Sequence, residues 1–264
     1  MAMWQDYQWE TDSARAAVGR VRLLRDVWSP QLENARDLLV YLPPSHGQVG
    51  RRFPVIYMHD GQNLFDAATS FAGEWRVDET METLAQNDGL EAIVVGIPNI
   101  SKQRVQEYSP FKTARKGKGD LYLQFILETI KPIIDRDFLT LPDRSHTGIV
   151  GSSMGGLISL YGFFRYPEAF GFVGALSPAL WFAGRAIFPF VERTPYAPGR
   201  IYLDAGAAEQ RGLLDDTRRM HRLLLDKGYG DDVMYVEDAD GTHHESAWAR
   251  RLPAALRFLL GKNV

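Results

Sequence analysis

Apolar residues along this chain fall into short dense runs, separated by longer segments in which they recur every three or four positions. Two runs lie near the N-terminus, at 17–24 and 37–42, and Pro43-Pro44 ends the second. Beyond them the pattern alternates. The runs at 53–58, 91–97, 147–150, 172–176, 200–203 and 232–236 carry apolar residues without a polar face, as strands covered on both sides do. Helical spacing sets Leu121, Phe125, Ile126, Ile130 and Ile133 on one face, with Asp120 placed as an N-cap and Pro132 as a kink. Segments 157–164, 213–225 and 245–260 are further helical candidates. Alternating strands and helices predict an α/β fold. Its sheet is mostly parallel, antiparallel in the N-terminal part, and has helices on both faces. Ligands of such sheets sit beyond the carboxyl ends of the strands, so the residues after each run matter most.

Composition narrows the chemistry. The 264 residues are 45% apolar and 24% charged, enough for a sizeable core and expected to form one domain spanning 1–264. Thirty basic against 33 acidic residues leave a net charge of -3, with no electrostatic footprint for nucleic acid or an anionic membrane. Arg115, Lys116 and Lys118 cluster, but with glycines and no aromatics between them they read as a solvated loop. The chain has no cysteine, which excludes disulfides, thiolate metal sites and a cysteine nucleophile. Residues 1–20 lack the apolar stretch of a secretory signal, and no run approaches the roughly 18 apolar residues that span a bilayer. A cytoplasmic location is the expectation.

The run at 147–150 leads into Gly151-Ser152-Ser153-Met154-Gly155-Gly156, a G-x-S-x-G pattern centred on Ser153. A serine on a sharp strand-to-helix turn sits in strained backbone, and glycines two before and two after leave room for close chain approach. The turn lifts the hydroxyl above the sheet and aims the next N–H at a developing oxyanion. Five residues alone are a weak signal; a strand before and a helix after supply the confirming context.

A nucleophilic serine needs a base. His243 and His244 lie after the last predicted strand and before the last helix, the chain order expected for this chemistry. His46, His146 and His221 have blander settings, and His59, ending the 53–58 run, reads as shaping the turn at the site's rim. The base in turn needs a carboxylate, expected after the run at 200–203. Three acids compete there: Glu209 is favoured, Asp204 is still nearly in the strand, and Asp240 is close in sequence to the histidine. Met154 N–H and, in the loop after the 53–58 run, Gln62 N–H are the candidate oxyanion donors, with Gly61 permitting the turn. Phe65, Trp75, Trp181 and Phe182 follow strand ends and are candidates for an aromatic pocket, although core packing explains such residues equally well. No H-E-x-x-H, Walker or G-x-G-x-x-G pattern occurs, and adjacent His243 and His244 point apart, so cofactor-free, metal-free catalysis is expected.

Taken in order, Val40-Tyr41-Leu42-Pro43-Pro44, the stretch from Tyr57 to Asp66, Glu107-Tyr108-Ser109-Pro110, the Ser153 motif, Leu176-Ser177-Pro178 and Gly241-Thr242-His243 with Trp248 resemble the "Putative esterase" family of α/β-hydrolases. That family includes esterase D-like, feruloyl and siderophore trilactone hydrolases. The resemblance runs from about residue 40 to 250. It implies an α/β-hydrolase fold, Ser153 as nucleophile, and an oxyanion hole lined around Gln62. A tryptophan five residues after the catalytic histidine is a family feature, and Trp248 thereby selects His243 over His244. Glu209 stands where many relatives carry aspartate. The function expected is hydrolysis of small-molecule carboxylic esters through an acyl-enzyme. The rivals are acyl transfer by the same serine and a non-catalytic binding module.

Overall fold

The computed structural model describes residues 3–8, 19–113 and 116–261. Arg115 of the basic cluster and the first two residues of the 17–24 run lie outside the described residues. Among the described residues, nine strands form one sheet: β1 (Gln5–Asp6), β2 (Arg20–Ser29), β3 (Asn34–Leu42), β4 (Val55–His59), β5 (Ile93–Ile97), β6 (Thr147–Ser152), β7 (Phe172–Leu176), β8 (Arg200–Gly206) and β9 (Val233–Asp238). Their order is β1-β2-β3-β5-β4-β6-β7-β8-β9. The first three strands and the β3–β5 junction pair antiparallel, and every pairing from β5 across to β9 is parallel. This is the mostly parallel α/β sheet expected from the alternation, and the α/β-hydrolase fold that the resemblance implied. The two-residue β1 had no counterpart in the pattern, being too short to show one.

Strand alternation divides the core into two layers. Val55, Tyr57, Ile149 and Val173 face one layer, while Ile56, Met58 and Val150 face the other. The first is covered by α3 (Gly119–Gln124), α4 (Lys131–Asp137), α5 (Met154–Arg165), α7 (Ile187–Arg193) and α8 (Arg211–Asp226). The second is covered by α1 (Val77–Asp88) and α9 (Glu245–Leu260), which pack on each other. Two short helices, α2 (Arg104–Glu107) and α6 (Phe182–Arg185), sit in connections. Helix α1 had no predicted counterpart: its apolar stripe is only Val77, Met81 and Leu84, among nine polar or small residues.

One expectation is corrected here. Asp120 does not cap its helix; Lys118 occupies the N-cap position, and the Asp120 carboxylate accepts the Tyr161 hydroxyl at 2.9 Å. Pro132 is absorbed without a sharp break, because a π-helical turn at Phe125–Ile130 precedes α4 and Pro132 falls in that helix's first turn, where no N–H is demanded. Phe125, Ile126 and Ile130 point into the core as their spacing implied, while Leu121 faces outward.

Candidate active site

Ser153 stands between β6 and α5 with φ 54° and ψ −121°, a conformation that L-residues avoid. Neighbouring chains hold it there. Its N–H donates to the Leu176 carbonyl at 3.0 Å, and its own carbonyl accepts from Ala179 N–H at 2.9 Å. The glycine two residues before is a steric necessity: a Cβ on Gly151 would lie 2.7 Å from the His59 ring and 2.9 Å from the Gly155 backbone.

His243 lies beside Ser153. Its Nε2 is 3.0 Å from Ser153 Oγ, and its Nδ1 is 2.8 Å from Glu209 Oε2. With Nδ1–H donating to the carboxylate, Nε2 is left to accept the serine proton. The Glu209 side chain is wholly buried and that of His243 is 37% exposed, so the acid is sheltered and the imidazole meets solvent. The other Glu209 oxygen, Oε1, accepts the Gly206 N–H at 2.8 Å and the Ser177 hydroxyl at 2.6 Å. Burial pushes the Glu209 carboxyl up, but hydrogen bonds from His243, Ser177 and Gly206 outweigh it and leave the group below the ordinary glutamate value.

The competing residues have other partners. Asp204 is buried and receives Arg251 in a two-pronged pair, at 2.9 and 3.0 Å. Asp240 sits exposed in a turn, its N–H on Asp238. His244 caps α9, its Nδ1 accepting from Ser246 N–H at 3.3 Å. His59 is buried between the Tyr122 and Ser159 hydroxyls, at 2.8 and 3.0 Å, and burial drives its pKa down to about 3.

Gln62 lies in the 3₁₀ turn Gly61–Asn63 that follows β4, and lines the same cleft as Ser153 and His243. A Cβ on Gly61 would come within 2.6 Å of the Gly96 and Ile97 backbone, so only glycine lets this turn close against β5. The Gln62 side chain accepts Asn99 N–H at 3.1 Å, tying the turn to the end of β5. Met154 is the first residue of α5, where backbone N–H groups have no partner within the helix.

The cleft measures about 840 Å³. Trp75 lines it, its ring 5.7 Å from that of Trp248, which in turn meets His243 edge-on at 5.0 Å. Phe65 does not reach the cleft. It is only 2% exposed and packs in the core layer of α1 and α9, against Gly96. Trp181, 51% exposed, stands outside the cleft with its edge on Phe182. Phe71 is the aromatic at the mouth that sequence reasoning missed: it lines the cleft and is 93% exposed. A single phenylalanine in a polar loop gives no periodic signal. Arg104 was missed as well. It lines the cleft and clasps Asp60 at 2.7 and 2.8 Å, and that pairing raises the guanidinium pKa despite burial, which acts to lower it.

Among the described residues, Glu74, Asp78 and Glu79 bring one carboxylate oxygen each within 4.8 Å of one another. Arg76 already donates to Glu79 at 3.0 Å, and burial, then Glu79, push the Asp78 carboxyl well above the ordinary aspartate range. No helix among the described residues is long and apolar enough to cross a membrane.

A serine on a strand-to-helix turn, a histidine and a buried acid thus lie together at the carboxyl end of a mostly parallel sheet. The chain belongs to the "Putative esterase" family, whose model matches residues 29–259, and its class of reaction is carboxylic ester hydrolysis. Protein YbbA of Bacillus subtilis is 28% identical over 245 residues, covering 86% of this chain and 94% of that protein. An endo-1,4-β-xylanase/feruloyl esterase of Xylanibacter ruminicola is 26% identical over 190 residues, 69% of this chain but only 24% of that protein. The solved structure of an IroE-like serine hydrolase from Shewanella oneidensis superposes with a TM-score of 0.76 at 20% identity, covering 91% of this chain and 80% of the other.

Proposed function

We propose that the chain hydrolyses carboxylic esters with an aromatic acyl group through an acyl-enzyme on Ser153. The observation that carries this is the unbroken hydrogen-bond line from Ser153 Oγ through His243 to Glu209, at 3.0 and 2.8 Å. His243 Nε2 takes the serine proton as Oγ attacks the ester carbonyl; the carbon–oxygen double bond becomes an oxyanion, received by the N–H groups of Met154 and Gln62. Collapse expels the alcohol, which leaves with the proton held by His243. Water then repeats the sequence, with His243 again as base, and frees the acid. Glu209 holds the imidazole in the right tautomer and balances its transient charge.

Two features support an aromatic acyl group: Trp75 and Trp248 form one wall beside His243, and Phe71 stands at the mouth. The feruloyl esterase relative points the same way. Access of solvent to His243 favours water over an alcohol acceptor, and so hydrolysis over acyl transfer.

The test compares wild type and Ser153→Ala on methyl ferulate, p-nitrophenyl acetate and an aryl trilactone, with fluorophosphonate labelling of both proteins. Label on Ser153 and turnover abolished in the variant support the serine route. Preference for the ferulate or the trilactone over the acetate supports the aromatic pocket, and equal rates on all three refute it.

A further inference from the structure

The Ser177 hydroxyl joins three separate parts of the chain. Ser177 follows β7 with a φ of 42°, a backbone setting that favours glycine, and is fully buried. Its N–H donates to the Asp204 carbonyl at 3.0 Å and to the Asp204 carboxylate at 2.9 Å, which fixes the residue to β8. Two donors from α9 converge on its oxygen: Trp248 Nε1 at 3.0 Å and Arg251 Nη2 at 2.8 Å. A serine oxygen accepts two hydrogen bonds and donates one. With both acceptor places filled, its proton has one destination, Glu209 Oε1 at 2.6 Å. The hydroxyl is therefore a fixed donor, polarised toward the acid by a cationic partner.

Resting on the reading of Ser153, His243 and Glu209 as the catalytic set, we propose that Ser177 is a positioning residue for the ester hydrolysis. Its hydroxyl selects which oxygen of Glu209 meets His243 and moderates how strongly that oxygen attracts a proton. Oε1 is held by Ser177 and Gly206, so only Oε2 is free to face the imidazole. A carboxylate with one donor fewer keeps more charge on Oε2 and holds a protonated imidazole more firmly. A protonated His243 cannot act as base, so loss of the hydroxyl moves the acid limb of the pH profile upward.

Other charged groups also face the pair. Arg251 lies 3.8 Å from Glu209 Oε1 and carries Asp204 and Asp238; His244, Glu245 and the Asp60–Arg104 pair line the cleft.

The experiment uses Ser177→Gly, which removes the hydroxyl and eases the backbone, beside Ser177→Thr, which keeps the hydroxyl at the cost of backbone strain. Expected for the glycine variant are a kcat lowered roughly 10- to 100-fold, KM within about twofold, and an acid limb of kcat/KM displaced to higher pH. The threonine variant keeps the wild-type limb even where its Tm falls. A glycine variant with the wild-type limb, or a limb displaced equally in the threonine variant, overturns the proposal and leaves Ser177 as packing alone. Fluorophosphonate labelling of the wild type separates the two readings. Absence of label at Ser153 removes the catalytic set itself, whereas label at Ser153 with an unmoved limb in Ser177→Gly removes only the role of Ser177.

Discussion

Asp204, within β8, and Glu209, just beyond its end, have different partners: Asp204 turns its carboxylate onto Arg251 at 2.9 and 3.0 Å, while Glu209 turns onto His243 at 2.8 Å. Burial raises the Asp204 carboxyl, and Arg251 opposes that rise with charge and hydrogen bonds. Removing one member of a buried pair strands the other. Asp204→Ala is therefore expected to cost about 3–5 kcal/mol of stability, measured by urea unfolding.

Glu209→Gln has the opposite profile. The amide fills the same space, but it cannot balance a charged imidazole. Activity is expected to fall by about 10²- to 10⁴-fold, with an unfolding midpoint near that of the wild type. Steady-state kinetics and a thermal melt on the same sample separate the two acids.

His59 makes stability depend on pH. Burial holds its folded pKa at about 3, below the ordinary histidine value of an unfolded chain. The unfolded state therefore takes up a proton that the folded state refuses. Stability is complete above about pH 6.5 and is lost as pH falls toward about 3, by an amount on the order of 5 kcal/mol. In His59→Gln the slope of unfolding free energy against pH in this window is expected to flatten, read by denaturant titrations at several pH values.

Gly151→Ala places a methyl against the His59 ring and the Gly155 backbone at under 3 Å. Relief requires the Ser153 turn to shift, at a cost of about 1–3 kcal/mol. Loss of Ser153 labelling that exceeds the loss of folded protein is the expected result.

Phe71→Ala touches no core. Stability is expected to stay within about 0.5 kcal/mol of the wild type. KM for methyl ferulate should rise several-fold while that for p-nitrophenyl acetate is unchanged, because only the aromatic acyl group reaches the mouth. Parallel kinetics on the two esters decide it.

Much of this molecule is local and was legible in the chain. Five of the six parallel strands announce themselves as apolar runs because both their faces are covered, while β9 at the sheet edge is only partly buried; Phe172–Leu176 and Glu245–Leu260 have the predicted limits. The G-x-S-x-G pattern is equally legible because it spans five consecutive residues, although Leu176, Ala179 and the His59 ring hold the turn from a distance. Helix α1 escaped because three buried apolar residues in twelve leave little periodic signal. The Asp120 cap failed because the cap position depends on where the chain arrives from, and the Asp120 carboxylate was drawn to Tyr161 instead.

Local pattern encodes the layered sheet and the candidates for chemistry at its carboxyl edge, because periodicity and turn chemistry act over a few residues. The tertiary structure is what brings Glu209 rather than Asp204 to His243, and His243 rather than His244 to Ser153, and what buries Phe65 while Phe71 lines the cleft. Those choices depend on partners from distant segments: Ser153 and His243 meet across 90 positions, and Ser177 and Arg251 across 74. No local pattern encodes which of several similar side chains such a partner will find.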